Sequence, residues 1–279
     1  MTWRLPAIDI SWPSIGSCCS PKPPLSSSDQ LSIMEEGKIS PSQASTANPT
    51  ASPTNAHKII AELVGTYVIV FIGCGCWMMD KRYSLGVIGV AVAWGLVVMV
   101  MIYALGHVSG AHFNPAVTIA LATCHKFPWR QVPVYIASQL VGSTLAARVL
   151  VMIFHDHVKI EVTVTQFVGP TTIYEAFAWE FLLSFILMLT ICGVATDSRA
   201  INELSGVTIG ATVLFNVLIA GNVTGASMNP ARSIGPALVA GKFDNLWLYI
   251  LAPIFGTTTA TLIYTLLWLP LPNKFDGSS

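Results

Sequence analysis

The chain has 279 residues, of which 53% are hydrophobic and 10% are charged, whereas roughly 25% of the residues in an ordinary soluble domain are charged. Fourteen basic side chains balance fourteen acidic ones, so the composition indicates lipid as the surrounding medium and gives no support to a nucleic-acid partner. The six cysteines lack the spacing of a disulfide framework, and we expect packing roles for most of them, with no metal and no cofactor.

The first 56 residues are predicted to form a disordered tail. Segments such as SPKPPLSSSDQ and SPSQASTANPTASPTNA are rich in Ser, Pro, Thr and Asn, and they cannot bury enough apolar surface to fold alone. The opening residues also lack the apolar run and small-residue cleavage site of a secretory signal peptide. We therefore expect a membrane domain at residues 57–270 and a short C-terminal tail at 271–279.

Six long apolar stretches follow the tail, and each is long enough to cross a hydrocarbon core of about 30 Å. They lie at approximately 58–79, 84–106, 130–153, 173–195, 204–221 and 245–268. Two shorter apolar stretches, at 116–124 and 231–240, reach only about 15 Å as helix, so they can enter the bilayer but cannot cross it. The pattern predicts an all-α membrane protein with six transmembrane helices and two re-entrant half-helices.

The two halves of the chain repeat one another. AELVGTYVIVFIGCG resembles WEFLLSFILMLTICG, and SGAHFNPAVTIAL matches TGASMNPARSIGPAL, which indicates an internal duplication. Each repeat, at 58–153 and 173–268, carries three crossings, and this odd number places the second repeat upside down relative to the first. The half-helices then enter from opposite faces, and their N-terminal ends meet near the midplane.

The Lys and Arg residues that flank the crossings predict the orientation of the chain. Eight of them lie on the side of the N-terminal tail and four on the other side. The positive-inside rule therefore favours cytoplasmic positions for both termini.

Each half-helix begins at an Asn-Pro-Ala tripeptide, in which Asn caps the helix and Pro fits its first position. One such tripeptide is an ordinary helix start, but two at equivalent places in inverted repeats indicate a functional site.

Irregular backbone at this depth requires protein or water around it, so the preceding loops predict a water-filled passage lined by carbonyls and asparagine amides. The two helix N-termini also disfavour cations and protons there. The expected central constriction comprises Asn114, Pro115, Ala116, Asn229, Pro230 and Ala231.

Several polar side chains fall within this apolar region. Arg232 follows the second tripeptide, and we expect it to line the passage, because a buried arginine needs water and carbonyl partners. Glu62 and Glu180 occupy matching places in the first and fourth crossings. We expect them to accept hydrogen bonds from the loop backbones, and a proton relay is the alternative. His107 and His112 are expected to be buried and neutral, with His112 supporting its loop, and pH-sensitive gating is the alternative.

With GHVSGAHFNPAVT, SMNPARSIGPA and the inverted repeat, the sequence resembles the aquaporin or major intrinsic protein family over residues 58–270. Its long polar tail, together with segments such as AWGLVVMVMIYALGHVSGAHFNPAVTIA and TGASMNPARS, looks most like those of the plant nodulin-26-like intrinsic proteins. The resemblance implies a homotetramer with one pore in each protomer, and a four-residue filter on the extracellular side. By their positions relative to the motif asparagines, the filter residues are Trp94, Val217, Ala226 and Arg232.

A strict water pore of this family usually has Phe, His, Cys or Thr, and Arg at these four places. Val217 stands here in place of the histidine, which implies a wider and more apolar opening that suits a polyol. The carbon backbone of the polyol would face Trp94 and Val217, and its hydroxyl groups would face Arg232.

The sequence therefore predicts a passive channel for water and small uncharged solutes such as glycerol, which excludes ions and protons. An inverted-repeat secondary transporter and a non-transporting membrane scaffold are the alternatives. An enzyme is least expected, since the sequence contains no catalytic Ser/His/Asp set, metal-ligand spacing or phosphate-binding loop. Ammonia, urea, a small weak acid, hydrogen peroxide and a metalloid hydroxide are further solutes that fit such an opening.

Overall fold

The structure is a computed structural model that describes residues 52–155, 157–197 and 199–267. Nearly all of the expected N-terminal tail and the whole of the expected C-terminal tail lie outside the described residues. The α-helices within these ranges are α1 (Asn55–Tyr83), α2 (Gly86–Ser109), α3 (Pro115–Thr123), α4 (Val132–Phe154), α5 (Ile173–Ile191), α6 (Ser205–Ala220), α7 (Pro230–Ala240) and α8 (Leu248–Leu267). Short 3-10 helices lie at Trp129–Gln131, Ile160–Thr163 and Asn202–Leu204, and a π-helix at Cys192–Thr196 continues α5.

Six of the helices are long and apolar enough to cross a membrane: α1, α2, α4, α5, α6 and α8. The other two, α3 and α7, have 9 and 11 residues and are too short to cross. The prediction of six crossings with two half-helices is confirmed. Because the number of crossings is even, α1 begins and α8 ends on the same side of the membrane, which we call the terminal side.

Helix α1 extends beyond both ends of the expected crossing at 58–79. At its start, the Thr54 hydroxyl accepts a hydrogen bond from the His57 N–H (3.4 Å), and the Thr54 N–H donates to His57 Nδ1 (3.2 Å). This capping box fixes the first turn before the apolar run begins. At its end, the polar residues that follow the apolar run stay helical until Ser84, where φ is 56°.

The packing of the crossings follows the repeat. Helix α1 packs along α4 in the first half, α5 packs along α8 in the second half, and α2 packs against α6 between the halves. At the first two contacts a glycine allows the backbones to touch. A Cβ atom at Gly142 would lie 2.3 Å from the carbonyl oxygen of Leu63, and one at Gly256 would lie 2.2 Å from that of Phe181. Small residues at helix contacts are the usual means of close packing in membranes.

The outer faces of the crossings carry large apolar side chains. Ile88 and Met152 are each 68% exposed, and such an outward apolar surface is what a bilayer requires around a protein. Buried polar side chains such as Glu62, Gln139 and Glu180 lie inside the helix bundle.

We predict that Gly142→Ala and Gly256→Ala each lower the thermal unfolding midpoint of the purified protein by roughly 3–10 °C, because the added methyl group would overlap backbone atoms. Gly106→Ala is the control, since a Cβ atom there meets nothing nearer than 3.8 Å. Equal midpoints for all three variants would contradict the close helix contacts.

Candidate functional site

The N-terminal ends of the two half-helices are capped in the same way. The Oδ1 atom of Asn114 accepts a hydrogen bond from the Ala116 N–H at 2.9 Å. The Oδ1 atom of Asn229 accepts one from the Ala231 N–H at 3.0 Å and one from the Arg232 N–H at 3.3 Å. Each asparagine thus satisfies free amide groups of the first turn, and the helix begins at the proline that follows.

The two asparagines also hold each other's loops. The Nδ2 atom of Asn114 donates to the carbonyl oxygen of Met228 at 2.8 Å, and the Nδ2 atom of Asn229 donates to that of Phe113 at 2.8 Å. A side-chain amide has two N–H bonds, so one N–H of each asparagine remains for another acceptor. The half-helices therefore meet through a reciprocal pair of hydrogen bonds between the repeats.

Glu62 is fully buried and organises the first loop. Its two carboxylate oxygens accept hydrogen bonds from Ser109 Oγ (2.7 Å), His112 N (3.0 Å), Phe113 N (2.7 Å) and Gln139 Nε2 (2.8 Å). Two of these donors are backbone amides of the loop that leads into α3. The carboxylate therefore fixes the path of the chain immediately before Asn114.

Glu180 does the same for the second loop and is also fully buried. It accepts hydrogen bonds from Thr224 Oγ1 (2.7 Å), Ser227 N (2.9 Å) and Met228 N (2.9 Å). The expectation that both glutamates accept hydrogen bonds from the loop backbones agrees with this geometry.

Two tyrosines on crossing helices also hold the loops that precede the half-helices, and this role was not predicted from the sequence. Tyr135 on α4 donates its hydroxyl hydrogen to the Ser109 carbonyl at 2.9 Å, and Tyr249 on α8 donates to the Thr224 carbonyl at 3.0 Å. The Ser143 hydroxyl donates to the Ala231 carbonyl in the first turn of α7, and the Thr257 hydroxyl donates to the Ala116 carbonyl in the first turn of α3. The internal repeat carries a signal for these anchors, because Tyr135 and Tyr249 occupy matching positions of its two halves.

A cavity of about 700 Å³ runs from the terminal side into the centre of the bundle. Six of the residues expected at the constriction and filter line this cavity together: Trp94, Asn114, Val217, Ala226, Asn229 and Arg232. A second cavity of about 260 Å³ lies on the opposite side and is lined by residues such as Trp77 and Glu161. Of the residues that line the first cavity, only Arg232 also lines the second. The two aqueous spaces therefore approach each other at this side chain.

The guanidinium group of Arg232 is held from two directions. Its Nη1 atom donates to the carbonyl oxygen of Thr163 at 2.7 Å, and its Cζ atom lies 5.1 Å from the centroid of the Trp94 ring. Contact with an aromatic face at this distance stabilises a cation. Arg232 is 3% exposed and Val217 is 2% exposed, and both line the first cavity.

A model of the major intrinsic protein family matches residues 50–264. The chain belongs to this family. It is 50% identical over 216 residues to aquaporin NIP1-1 from Oryza sativa subsp. japonica, which covers 76% of this chain and 74% of that relative. It is 47% identical over 218 residues to nodulin-26 from Glycine max, which covers 75% of this chain and 77% of the relative.

A solved structure of the aquaglyceroporin from Plasmodium falciparum superposes with a TM-score of 0.71 at 26% identity, over 76% of this chain and 96% of that chain. The resemblance to the aquaporins and the nodulin-26-like proteins is thereby confirmed. As a major intrinsic protein, the chain is a multi-pass membrane channel for water and small solutes and is not an enzyme. The transporter and scaffold alternatives are not favoured.

His107 and His112, two of the six histidines of this major intrinsic protein, have different surroundings. His112 is buried against the rings of Phe127 and Tyr135, and its Nδ1 atom lies 3.2 Å from Thr118 Oγ1. His107 is exposed and lines the cavity on its terminal side. The expectation of a buried His107 was therefore wrong, because its side chain faces the open mouth of the cavity, whereas Ser109 in the same turn faces the bundle.

Asp197 anchors the loop between α5 and α6 beside this mouth. Its carboxylate accepts hydrogen bonds from Arg199 Nε (2.9 Å), the Arg199 N–H (3.0 Å) and the Tyr264 hydroxyl (2.9 Å). The hydrogen bonds from Arg199 hold the pKa of Asp197 well below its usual range. A lowered pKa stabilises the folded state above the ordinary aspartate pKa, and this contribution is lost only as the pH falls through the lowered value. The anchor therefore persists at neutral pH.

We predict that Glu180→Gln lowers stability by about 1–3 kcal/mol. Each carboxylate oxygen accepts from a backbone N–H, so the amide nitrogen of glutamine would face either Ser227 N–H or Met228 N–H as a second donor. Thermal unfolding of the purified protein measures the loss. Glu175→Gln on the same helix is the control, because glutamine also serves in the capping box that Glu175 forms with Thr172. An unchanged midpoint for Glu180→Gln would contradict this account of the loop.

Proposed function

We propose that this channel passes water and glycerol-sized uncharged solutes in single file through a filter of Trp94, Val217, Ala226 and Arg232. The observation that carries the proposal is the shared lining of one cavity by all four residues and both motif asparagines. The position of Arg232 between the two cavities supports the placement of the filter at that level.

The chemistry of the filter favours a solute with one apolar and one polar side. Trp94 and Val217 offer carbon surface, and the guanidinium of Arg232 offers N–H donors beyond the one that is bonded to Thr163. A polyol can place its carbon chain against the first two residues and its hydroxyl oxygens against the third. The similarity to the aquaglyceroporin from Plasmodium falciparum supports the same class of solute.

The centre of the passage is proposed to exclude ions and protons. The N-terminal ends of α3 and α7 meet there, and each carries about half a positive charge. Asn114 and Asn229 each keep one N–H free of the reciprocal hydrogen bonds, so they can replace water as donors to a passing hydroxyl oxygen. A cation is repelled by these partial positive charges and by the full charge of Arg232 next along the path.

The supporting residues and the assembly belong to the same proposal. Glu62, Glu180 and His112 hold the loops in shape through the contacts described above. We place both termini in the cytoplasm, on the basis of the bias in Lys and Arg, and we expect a homotetramer in the lipid bilayer with one pore in each protomer. Residues 57–270 form the channel domain, and the segments on either side of it are tails.

We predict that proteoliposomes with the wild-type chain shrink and reswell in glycerol, and that Val217→His reduces glycerol permeability roughly tenfold or more, while water still passes. The imidazole would fill the space opposite Arg232. Val217→Thr is the control, since threonine has nearly the same volume as valine. Stopped-flow light scattering measures both permeabilities.

Three results of this experiment would contradict parts of the proposal. Wild-type protein that passes water alone would refute the choice of a polyol. An equal glycerol flux through Val217→His would remove Val217 from the filter. A flux that saturates with glycerol concentration would favour a transporter over a channel.

We predict that Arg232→Leu raises the proton permeability of proteoliposomes roughly tenfold, since it removes the fixed charge from the narrow region. A pH-sensitive dye trapped in the vesicles measures the leak. Arg148→Leu is the control because Arg148 is exposed on α4 and does not line either cavity. Proton exclusion that is unchanged in Arg232→Leu would assign the barrier to the half-helix ends alone.

A further inference from the structure

Gly73 on α1 lies directly against the indole of Trp94. A Cβ atom at Gly73 would lie 2.3 Å from Cε2, 2.3 Å from Cζ2 and 2.5 Å from Cδ2 of that ring. These nearly equal distances to three consecutive atoms of the six-membered ring describe an approach over the ring face rather than at its edge. The glycine therefore leaves a flat recess in α1, and the indole fills it.

The indole separates this recess from the passage. Trp94 lines the larger cavity, whereas Gly73 does not. Trp94 is only 6% exposed, and the guanidinium carbon of Arg232 lies over the same ring at 5.1 Å from its centroid. Any displacement of the ring away from Gly73 must therefore carry it toward the cavity.

The backbones on both sides of the contact are held by other close approaches. Helix α2 touches α6, since a Cβ atom at Gly95 would lie 2.7 Å from the Gly210 carbonyl oxygen. Helix α1 touches α4, as described for Gly142 and the Leu63 carbonyl. These tight contacts leave no space for α2 to move closer to α6 or for α1 to move closer to α4. The indole is thus the part that moves when anything is added at Gly73.

We propose that Gly73 is a specificity-determining positioning residue, which sets the width of the filter by letting the Trp94 indole lie back against α1. The inference rests on the proposed role of Trp94 as a filter residue. Gly73 touches no solute, and it acts only through the position of the ring. A larger residue at position 73 pushes the indole toward Arg232 and lowers the size of the largest solute that passes.

The test measures the permeability of proteoliposomes to water, urea, glycerol and erythritol for wild type, Gly73→Ala and Gly75→Ala. Gly75 is the matched control on the same helix, because a Cβ atom there meets only Leu150 Cδ2 at an ordinary 3.4 Å. For the largest solute that wild type passes, we expect Gly73→Ala to reduce permeability roughly tenfold, a factor typical of an overpacked contact. Gly75→Ala should leave the permeabilities to all four solutes as they are in wild type.

A double variant identifies the ring as the moving part. Trp94→Phe has a smaller ring, so Gly73→Ala added to Trp94→Phe should leave the permeability series of Trp94→Phe nearly unchanged. Where Gly73→Ala alone fails to give a monodisperse protein, Trp94→Phe should restore both folding and solute flux. A double variant that still fails, or a single variant with the wild-type series, would overturn the proposal.

The outcomes distinguish a failure of the role of Gly73 from a failure of the proposed function. If wild type passes water alone, the polyol assignment is wrong, and the effect of Gly73→Ala is then measured on water. If wild type passes glycerol and Gly73→Ala changes nothing, the filter remains and Gly73 has no part in setting its width. An equal loss in Gly75→Ala would show a general effect of alanine in α1 and would also refute the role of Gly73.

Discussion

Every backbone N–H at the middle of a bilayer must find a partner in the protein or in the water of the passage, and this constraint organises the whole site. Two loops leave the helical state at that depth, and each is held by one carboxylate from a crossing helix, Glu62 or Glu180. Once the loop amides are fixed, Asn114 and Asn229 cap their half-helices and face each other. The aqueous path is the space that this arrangement leaves open.

The scaffold is nearly symmetric, but its chemistry is not. The glutamate, tyrosine and asparagine contacts of one repeat recur in the other. The residue three places after each motif asparagine differs, since it is Val117 in the first repeat and Arg232 in the second. Both line the larger cavity, yet only the arginine meets a carbonyl and an aromatic ring. One half of the duplicated frame therefore carries the charged group of the proposed filter, and the other half has an apolar side chain at the matching place.

The sequence predicts those features that depend on composition and spacing. Hydropathy gives the six crossings, the short apolar runs give the half-helices, and the repeat gives their opposed directions. Features that depend on side-chain position in three dimensions escaped the sequence analysis. The carbonyl that holds Arg232 comes from Thr163 in a 3-10 turn between the repeats, where no periodic pattern exists. The exposure of His107 depends on the rotation of the last turn of α2, which the hydropathy of a nearly uniform apolar helix does not define.

The reciprocal hydrogen bonds of the asparagines have a consequence for biosynthesis. The acceptor for Asn114 is the carbonyl of Met228, which leaves the ribosome more than a hundred residues later. The first repeat therefore enters the membrane with a polar loop whose partner does not yet exist, and it stays incomplete until the second repeat arrives in the opposite direction. The reciprocal hydrogen bonds can form only after both repeats have inserted and their half-helices have met.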